Sequence, residues 1–307
     1  MPFTTASDLS PKMLEGVVRT EFFRAYHELR DTGWQRYTTV VASGAAEEYY
    51  DWLRLLGDVR EWIGDRVINQ GVAERYSIRN KTWEFGFYLE RSAVEDDQSG
   101  QIGLAITAAA QRAAEHQARL VTEVLEAAFT DACYDGEAFF SESHPLDSGG
   151  SFGNYTDALL DAGSLRSGFS ALMGMRRSDD APWGNVVSKQ NTTLMVPPAL
   201  YFTALELTQH PHYSAGDPEN NPLAGLFDVA LNPYLTSQTA WYLLQTTEPL
   251  KPLVFQRRTE LELTAQTDPA TGDVVFRNDL YAFGTRQRYN AGYTFPQLAY
   301  ASDGTES

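Results

Sequence analysis

The sequence predicts an α+β fold, and three stretches carry that prediction: an unbroken helical stripe over 101–131, an alternating aromatic strand over 83–89, and a strand-rich tail from 253 to 301. In the first, Ile106, Ala110, Ala113, Gln117, Leu120, Val124 and Ala128 recur every three or four residues, and neither Pro nor Gly interrupts 104–130. At 1.5 Å per residue this makes a rod of about 45 Å, long enough to act as a spine for other elements. In the second, Trp83, Phe85, Phe87 and Leu89 fall at period two. In the third, Asp268-Pro269-Ala270-Thr271-Gly272-Asp273 reads as a hairpin turn between two strands.

The remaining elements follow in chain order. Ser10-Pro11 opens a helix as N-cap and first-turn proline, and Leu14, Val17, Val18, Phe22 and Tyr26 give it one apolar face until Gly33. A strand follows over 37–42. No separate core is visible in 1–45, so this segment reads as an N-terminal arm that packs on something else. Region 46–98 is dense in aromatic residues, and 60–68 is a plausible partner for 83–89 across a turn at Asn69-Gln70-Gly71. Such a hairpin either lies on its own core or reaches onto a neighbouring subunit. The acid run Glu95-Asp96-Asp97 suits the entrance of the long helix. Beyond a loop-rich 134–155 come a helix over 165–175, a strand over 192–196, a helix over 199–207 opened by Pro197-Pro198, and strands over 226–231 and 240–244. Residues 303–307 read as a frayed tail.

Charge excludes one class of function. The 307 residues include 41 acidic and 24 basic side chains, for a formal charge of −17. A chain this acidic does not coat nucleic acid by releasing counterions. Of the basic residues 20 are Arg and 4 are Lys, a bias toward the planar, bidentate contacts that suit interfaces. A single cysteine, Cys133, excludes an intrachain disulfide framework. No apolar run approaches the eighteen residues of a membrane span. The opening MPFTTASDLSPK lacks the charged start and apolar core of a signal peptide, so a soluble protein of a reducing compartment is expected.

Chemical motifs are sparse. There is neither a G-x-x-x-x-G-K-[ST] phosphate loop nor a G-x-G-x-x-G. His116 lacks the Glu and second His of a helical zinc protease site, and His210-Pro211-His212 lacks a third ligand. Ser141, Ser143 and His144 with Asp135 evoke a triad, but no G-x-S-x-G elbow accompanies them. Glu95, Asp96 and Asp97 need no cation, and Cys133 beside Phe129 and Tyr134 suits a small buried residue. The expectation is no catalytic residue, no cofactor and no metal.

An ordered series of motifs then stands out. Trp52-Leu53 leads to LGDVREWIGDRVI at 56–68; Tyr76 leads through IRNK at 78–81 to EDD at 95–97. Cys133-Tyr134-Asp135-Gly136 precedes Phe139-Phe140 and His144-Pro145, and Val196-Pro197-Pro198 follows. AWYLL at 240–244, KPLVFQ at 251–256, YNAGY at 289–293 and Gln297-Leu298-Ala299 close the series. In this order, over about residues 40 to 300, the chain resembles the Mu-like prophage major head subunits, major capsid proteins of tailed bacteriophages.

The resemblance implies the tailed-phage major capsid fold, with an N-terminal arm (1–45), an extended loop (46–98), a peripheral domain (99–134 and 251–302, with the spine helix at 101–131) and an inserted axial domain (135–250). It implies a structural protein that self-assembles into hexamers and pentamers of an icosahedral shell around double-stranded DNA. Such a protein is made in the host bacterial cytoplasm and ends in the virion capsid. Its implied partners are further copies of itself, a scaffold protein, a portal and a decoration protein. Arg60, Trp62, Arg66, Tyr76, Lys81, Trp83, Phe85 and Phe87, on the expected loop, are the candidate subunit-interface residues, as aromatic and arginine side chains on reaching elements commonly anchor interfaces. A lysine–asparagine cross-link from Lys81 to Asn278 or Asn290 would also need a carboxylate catalyst. The alternatives are an encapsulin-like nanocompartment shell and, more remotely, a Ser/His hydrolase.

Overall fold

The computed structural model describes residues 10–29, 33–50, 76–96, 100–147, 149–177, 179–211, 221–247, 249–270 and 272–305. The expected partner strand at 60–68 and its turn at 69–71 lie outside them, as do Arg60, Trp62 and Arg66.

Helix α1 (Pro11–Leu29) begins at Ser10, whose carbonyl accepts from the backbone of Met13 and Leu14. Strands β1 (Thr38–Ala42), β2 (Glu47–Tyr49), β3 (Ser77–Arg79) and β4 (Lys81–Glu90) lead to the short α2 (Arg91–Glu95) and the spine α3 (Gln101–Ala127). The spine's 27 residues make a rod of about 40 Å. Short strands β5 (His144–Pro145), β6 (Ser151–Phe152) and β7 (Tyr155–Thr156) precede α4 (Ala162–Met173). Strand β8 (Thr192–Val196), α5 (Tyr201–Gln209), β9 (Asp228–Leu231) and β10 (Trp241–Gln245) follow. The chain closes with β11 (Leu253–Gln266), α6 (Asp273–Asn278), β12 (Leu280–Tyr293) and β13 (Ala299–Ser302).

Two sheets organise these elements. The first has the order β1-β11-β12-β4, with β1 parallel to β11 and the other pairs antiparallel. The period-two aromatics decide how it packs. Trp83, Phe85, Phe87 and Leu89 turn inward toward α1 and α3, while Glu84, Tyr88 and Glu90 face out. Phe87 stacks between Phe22 of α1 and Phe283 of β12, at ring separations of 6.1 and 5.2 Å. The N-terminal helix therefore docks on the spine of its own chain, and β1 joins the sheet.

The second sheet has the order β7-β13-β10-β8-β9. Its middle strand, Trp-Tyr-Leu-Leu-Gln, is buried throughout, as a strand covered on both faces must be. Trp241 and Leu243 meet α4 and α5 on one side. Tyr242 and Leu244 meet the C-terminal half of the spine, with Phe139, Phe140, Phe255 and Tyr293, on the other. One helix thus bridges both layers: Ile106–Ala114 pack under the first sheet, and Ala118–Ala128 pack where Phe255 and Tyr289 of the first sheet meet Tyr242 and Leu244 of the second.

The C-terminal tail differs from the sequence reading in three places. The long hairpin of the tail is present, but α6 fills its connection, with Val275 buried against the first layer. Residues 299–302, expected with the first layer, pair with β10 in the second, because all four are buried there. Residues 303–305 are held rather than frayed: Asp303 accepts from the Tyr155 hydroxyl at 2.9 Å, and the Gly304 N–H donates to Ser302 Oγ at 3.0 Å.

Candidate assembly surface

The inward tilt of the β4 aromatics leaves a groove between that strand and the spine. It has a volume of about 520 Å3. Trp83, Phe85 and His116 form its apolar side, and Arg112, Glu115 and Arg119 of the spine and Glu84 of β4 also line it. The Trp83 indole is fixed from below, donating Nε1–H to the Tyr289 carbonyl at 3.0 Å. His116 Nδ1 lies 2.7 Å from the Tyr289 hydroxyl, and its ring stands 4.4 Å from that of Trp83. Burial and the Arg119 charge both lower the His116 pKa. Arg112 and Arg119 have no ion pair among the described residues. Strand β4 is the outer strand of its sheet, pairing among the described residues with β12 alone.

Five candidate interface residues fall within the described residues, and they divide by position. Trp83, Phe85 and Phe87 are half-buried against their own chain's core. Tyr76 is likewise half-buried, its hydroxyl accepting from the Tyr293 N–H at 2.7 Å. Lys81 is exposed, its ammonium 5.9 Å from the centre of the Trp83 ring. Its strand partner is Tyr289, whereas Asn278 lies at the opposite end of the β4–β12 pair and Asn290 donates to the Arg79 carbonyl.

The sequence motif Cys133-Tyr134-Asp135 through His144 folds into a buried polar junction behind the spine. His144 is fully buried; its Nδ1 lies 2.6 Å from Asp135 Oδ2. The Cys133 thiol donates to Asp135 Oδ1 at 3.0 Å. Asn154 donates from Nδ2 to the carbonyls of Phe139 and Pro296, so its Oδ1 is the acceptor that meets His144 Nε2 at 3.1 Å. Burial alone would raise the Asp135 pKa, but the hydrogen bond and charge of His144, with the Cys133 thiol and the Glu137 N–H, hold it below the ordinary carboxylate value. Burial and the neighbouring Asp135 push the Cys133 thiol up.

This arrangement answers the chemical alternatives. Both His144 nitrogens are occupied by Asp135 and Asn154, leaving none to activate Ser141 or Ser143. Cys133, Asp135 and His144 offer metal-type donors, but donor separations of 2.6 and 3.0 Å are hydrogen-bond lengths. A tetrahedral zinc with bonds of 2.0–2.3 Å needs its donors about 3.3 Å apart or more. Glu95 is paired with Arg91 at 2.9 Å. Asn154, which organises the junction, escaped the sequence reading because it lies in a glycine-rich loop without a motif. Asp97 and His212 lie outside the described residues.

Comparison with known proteins supplies the context. The family described as Mu-like prophage major head subunit gpT matches residues 12–159 and 236–306. Those blocks hold the whole first sheet, the spine, the buried junction and strands β10 and β13; the unmatched span holds α4, β8, α5 and β9. The Mu-like prophage FluMu major head subunit of Haemophilus influenzae (strain ATCC 51907 / DSM 11121 / KW20 / Rd) is 29% identical over 266 residues, covering 87% of this chain and 64% of the relative. The major capsid protein of Escherichia phage Mu is 28% identical over 265 residues, covering 86% and 64%. The chain thus spans just under two thirds of the length of either relative. Among solved structures, a chain of the procapsid of bacteriophage JBD30 superposes with a TM-score of 0.57 at 27% identity, over 97% of this chain and 77% of that one.

Proposed function

The chain belongs to the Mu-like prophage major head subunit gpT family, and from that membership we propose that it is a major capsid protein, a repeated tile of a tailed-phage head. The observation that carries this reading is the family match itself, which takes in the whole first sheet, strands β7, β10 and β13 of the second, and the helix that joins them. A shell subunit needs a stiff body and surfaces offered to copies of itself, since its work is association closed by symmetry. The spine supplies stiffness by crossing both cores. Among the described residues, the outer edge of β4 and the groove beside it are left open to neighbours.

In this reading the first sheet with α1 and the spine is the peripheral domain, and the second sheet with α4 and α5 is the axial domain. The copies form hexamers and pentamers of an icosahedral shell around double-stranded DNA, in the virion capsid, after synthesis in the host bacterium. Scaffold, portal and decoration proteins are the further partners. A net charge of −17 suits an enclosure that does not hold its DNA by adhesion. Trp83 and Phe85 serve twice, as floor of the subunit's core and as wall of a contact surface. Sedimentation velocity of the purified protein tests the proposal: large particles of uniform size are expected, and a species that remains monomeric at every concentration and ionic strength overturns it.

A further inference from the structure

The hydrogen bonds of the buried junction behind the spine fix where its protons are, and we propose that it is a charge latch: at neutral pH His144 carries a proton on both ring nitrogens and, as an imidazolium, pairs with the Asp135 carboxylate to hold the spine's exit loop to the second sheet.

Asn154 determines the first proton, because three backbone groups leave its side-chain amide one orientation. Nδ2 donates to the carbonyls of Phe139 and Pro296 at 2.8 and 3.1 Å, and Oδ1 accepts from the Ser141 N–H at 2.9 Å. Turning the amide over would set its oxygen against two carbonyls and its NH2 group against an N–H. The atom that meets His144 Nε2 at 3.1 Å is therefore an acceptor, and Nε2 carries a proton. A second acceptor stands on the other side of the ring. Asp135 Oδ1 accepts from the Cys133 thiol at 3.0 Å and the Glu137 N–H at 3.1 Å, and Oδ2 lies 2.6 Å from His144 Nδ1. Either neutral form of the ring would leave a bare nitrogen facing an oxygen, Nδ1 against Asp135 or Nε2 against Asn154.

Charge leads to the same assignment. The Asp135 side chain is 8% exposed and its carboxyl is held below the ordinary value, so it is ionised at neutral pH. Among the described residues His144 is the one cation within ion-pair distance of it. With a neutral ring the carboxylate would be a buried anion without a counter-charge, a costly state. Around the ring, Cys133 is the other ionisable group of the junction, Phe152 of β6 stacks on the ring face at 4.8 Å, and Glu137, Glu142 and Asp147 of the flanking loops are exposed. The latch joins the loop after the spine, strand β5 and the Pro296 segment before β13. It concerns a single copy, so it stands or falls apart from the shell reading.

Nitrogen-15 NMR of the full chain, labelled at its five histidines and held near pH 7.5, tests the latch. Sedimented particles serve as well as free chain. A bare ring nitrogen resonates well apart from a protonated one, which separates imidazolium from either neutral form. The ring in contact with Phe152 is expected to show both nitrogens protonated, above the ordinary histidine value of about 6.5. A bare nitrogen on that ring overturns the proposal. Asp135→Asn is the companion variant: its amide can donate to Nδ1, so the junction stays hydrogen-bonded while the counter-charge is removed. In it the ring is expected to become neutral, with its proton on Nε2, and a ring that stays doubly protonated overturns the ion pair. Stability gives a second reading. The folded pair holds a proton that the unfolded chain releases above about pH 6.5, so stability is lost as pH rises. Between pH 6.5 and 8, below the ordinary thiol value of about 8.5, the unfolding constant of the natural chain should grow relative to that of Asp135→Asn by up to about tenfold per pH unit. Parallel curves over that range overturn the latch.

Discussion

His144 Nδ1 stands 2.6 Å from Asp135 Oδ2 in a site closed to solvent, joining the loop that leaves the spine to the strand pair that enters the second sheet. Asn154 extends the link to the Pro296 carbonyl, next to the start of β13. A buried pair of this kind is costly to break, because the surviving partner is left without compensation. His144→Ala is expected to lower unfolding free energy by about 3–5 kcal/mol, read by urea denaturation. A loss below 1 kcal/mol would show that the junction is not structural.

The same pair sets a dependence on acid. Asp135 is held below its ordinary value in the folded chain, so its contribution is complete above the unfolded carboxylate value of about 3.9 and is lost as pH falls through the lower folded value. Melting temperature followed downward from pH 5 should therefore fall more steeply for the natural chain than for Asp135→Asn. Parallel curves would remove Asp135 from the account of acid sensitivity.

Phe22, Phe87 and Phe283 form a stacked series across the arm helix, the outer strand and its partner. Phe22 is fully buried. Phe22→Ala should cost about 3–5 kcal/mol, the usual range for emptying a packed aromatic site. Calorimetry of the variant checks this, and a near-normal melting temperature would mean that α1 does not belong to the cooperative core.

At the other end of the spine, one Glu126 carboxylate oxygen accepts from the Thr236 N–H at 2.6 Å, the Thr236 hydroxyl at 2.9 Å and the Ser237 N–H at 3.2 Å. This fastens the spine to the loop before β10. Glu126→Ala is expected to cost about 1–2 kcal/mol, since a charged acceptor serving several donors is lost at a half-exposed position. Hydrogen exchange at Thr236 and Ser237 should rise in the variant, and unchanged protection there would contradict the role.

Assembly itself should respond to salt. Copies of net charge −17 repel one another, and ions screen that repulsion beyond about 8 Å at physiological strength while leaving short apolar contacts in place. Light scattering should show more assembled material as salt rises from low to moderate levels. A steady decline over that range would mean that attraction between charges dominates the contacts.

Much of this was legible in the residues. The spine's stripe lacked any breaker over 104–130, and period two placed Trp83, Phe85, Phe87 and Leu89 on one face of β4, with the subunit's own core and a neighbouring subunit both left open as what that face meets. Periodicity says which face is buried but not what covers it, so Phe87 could be placed on a face without revealing that Phe22 lies against it. The destination of 299–302 was hidden for a similar reason: a short run of small and aromatic residues suits either sheet, and the choice depends on pairing with β10. The His144 junction was half visible, through Asp135 and His144, but its purpose turned on Asn154 and the distant Pro296 carbonyl.

Electron microscopy of the purified, concentrated protein addresses the central claim most directly. The account expects closed shells built of repeated rings of this one chain. Fields containing only isolated compact molecules, at every concentration and salt level tried, would contradict it.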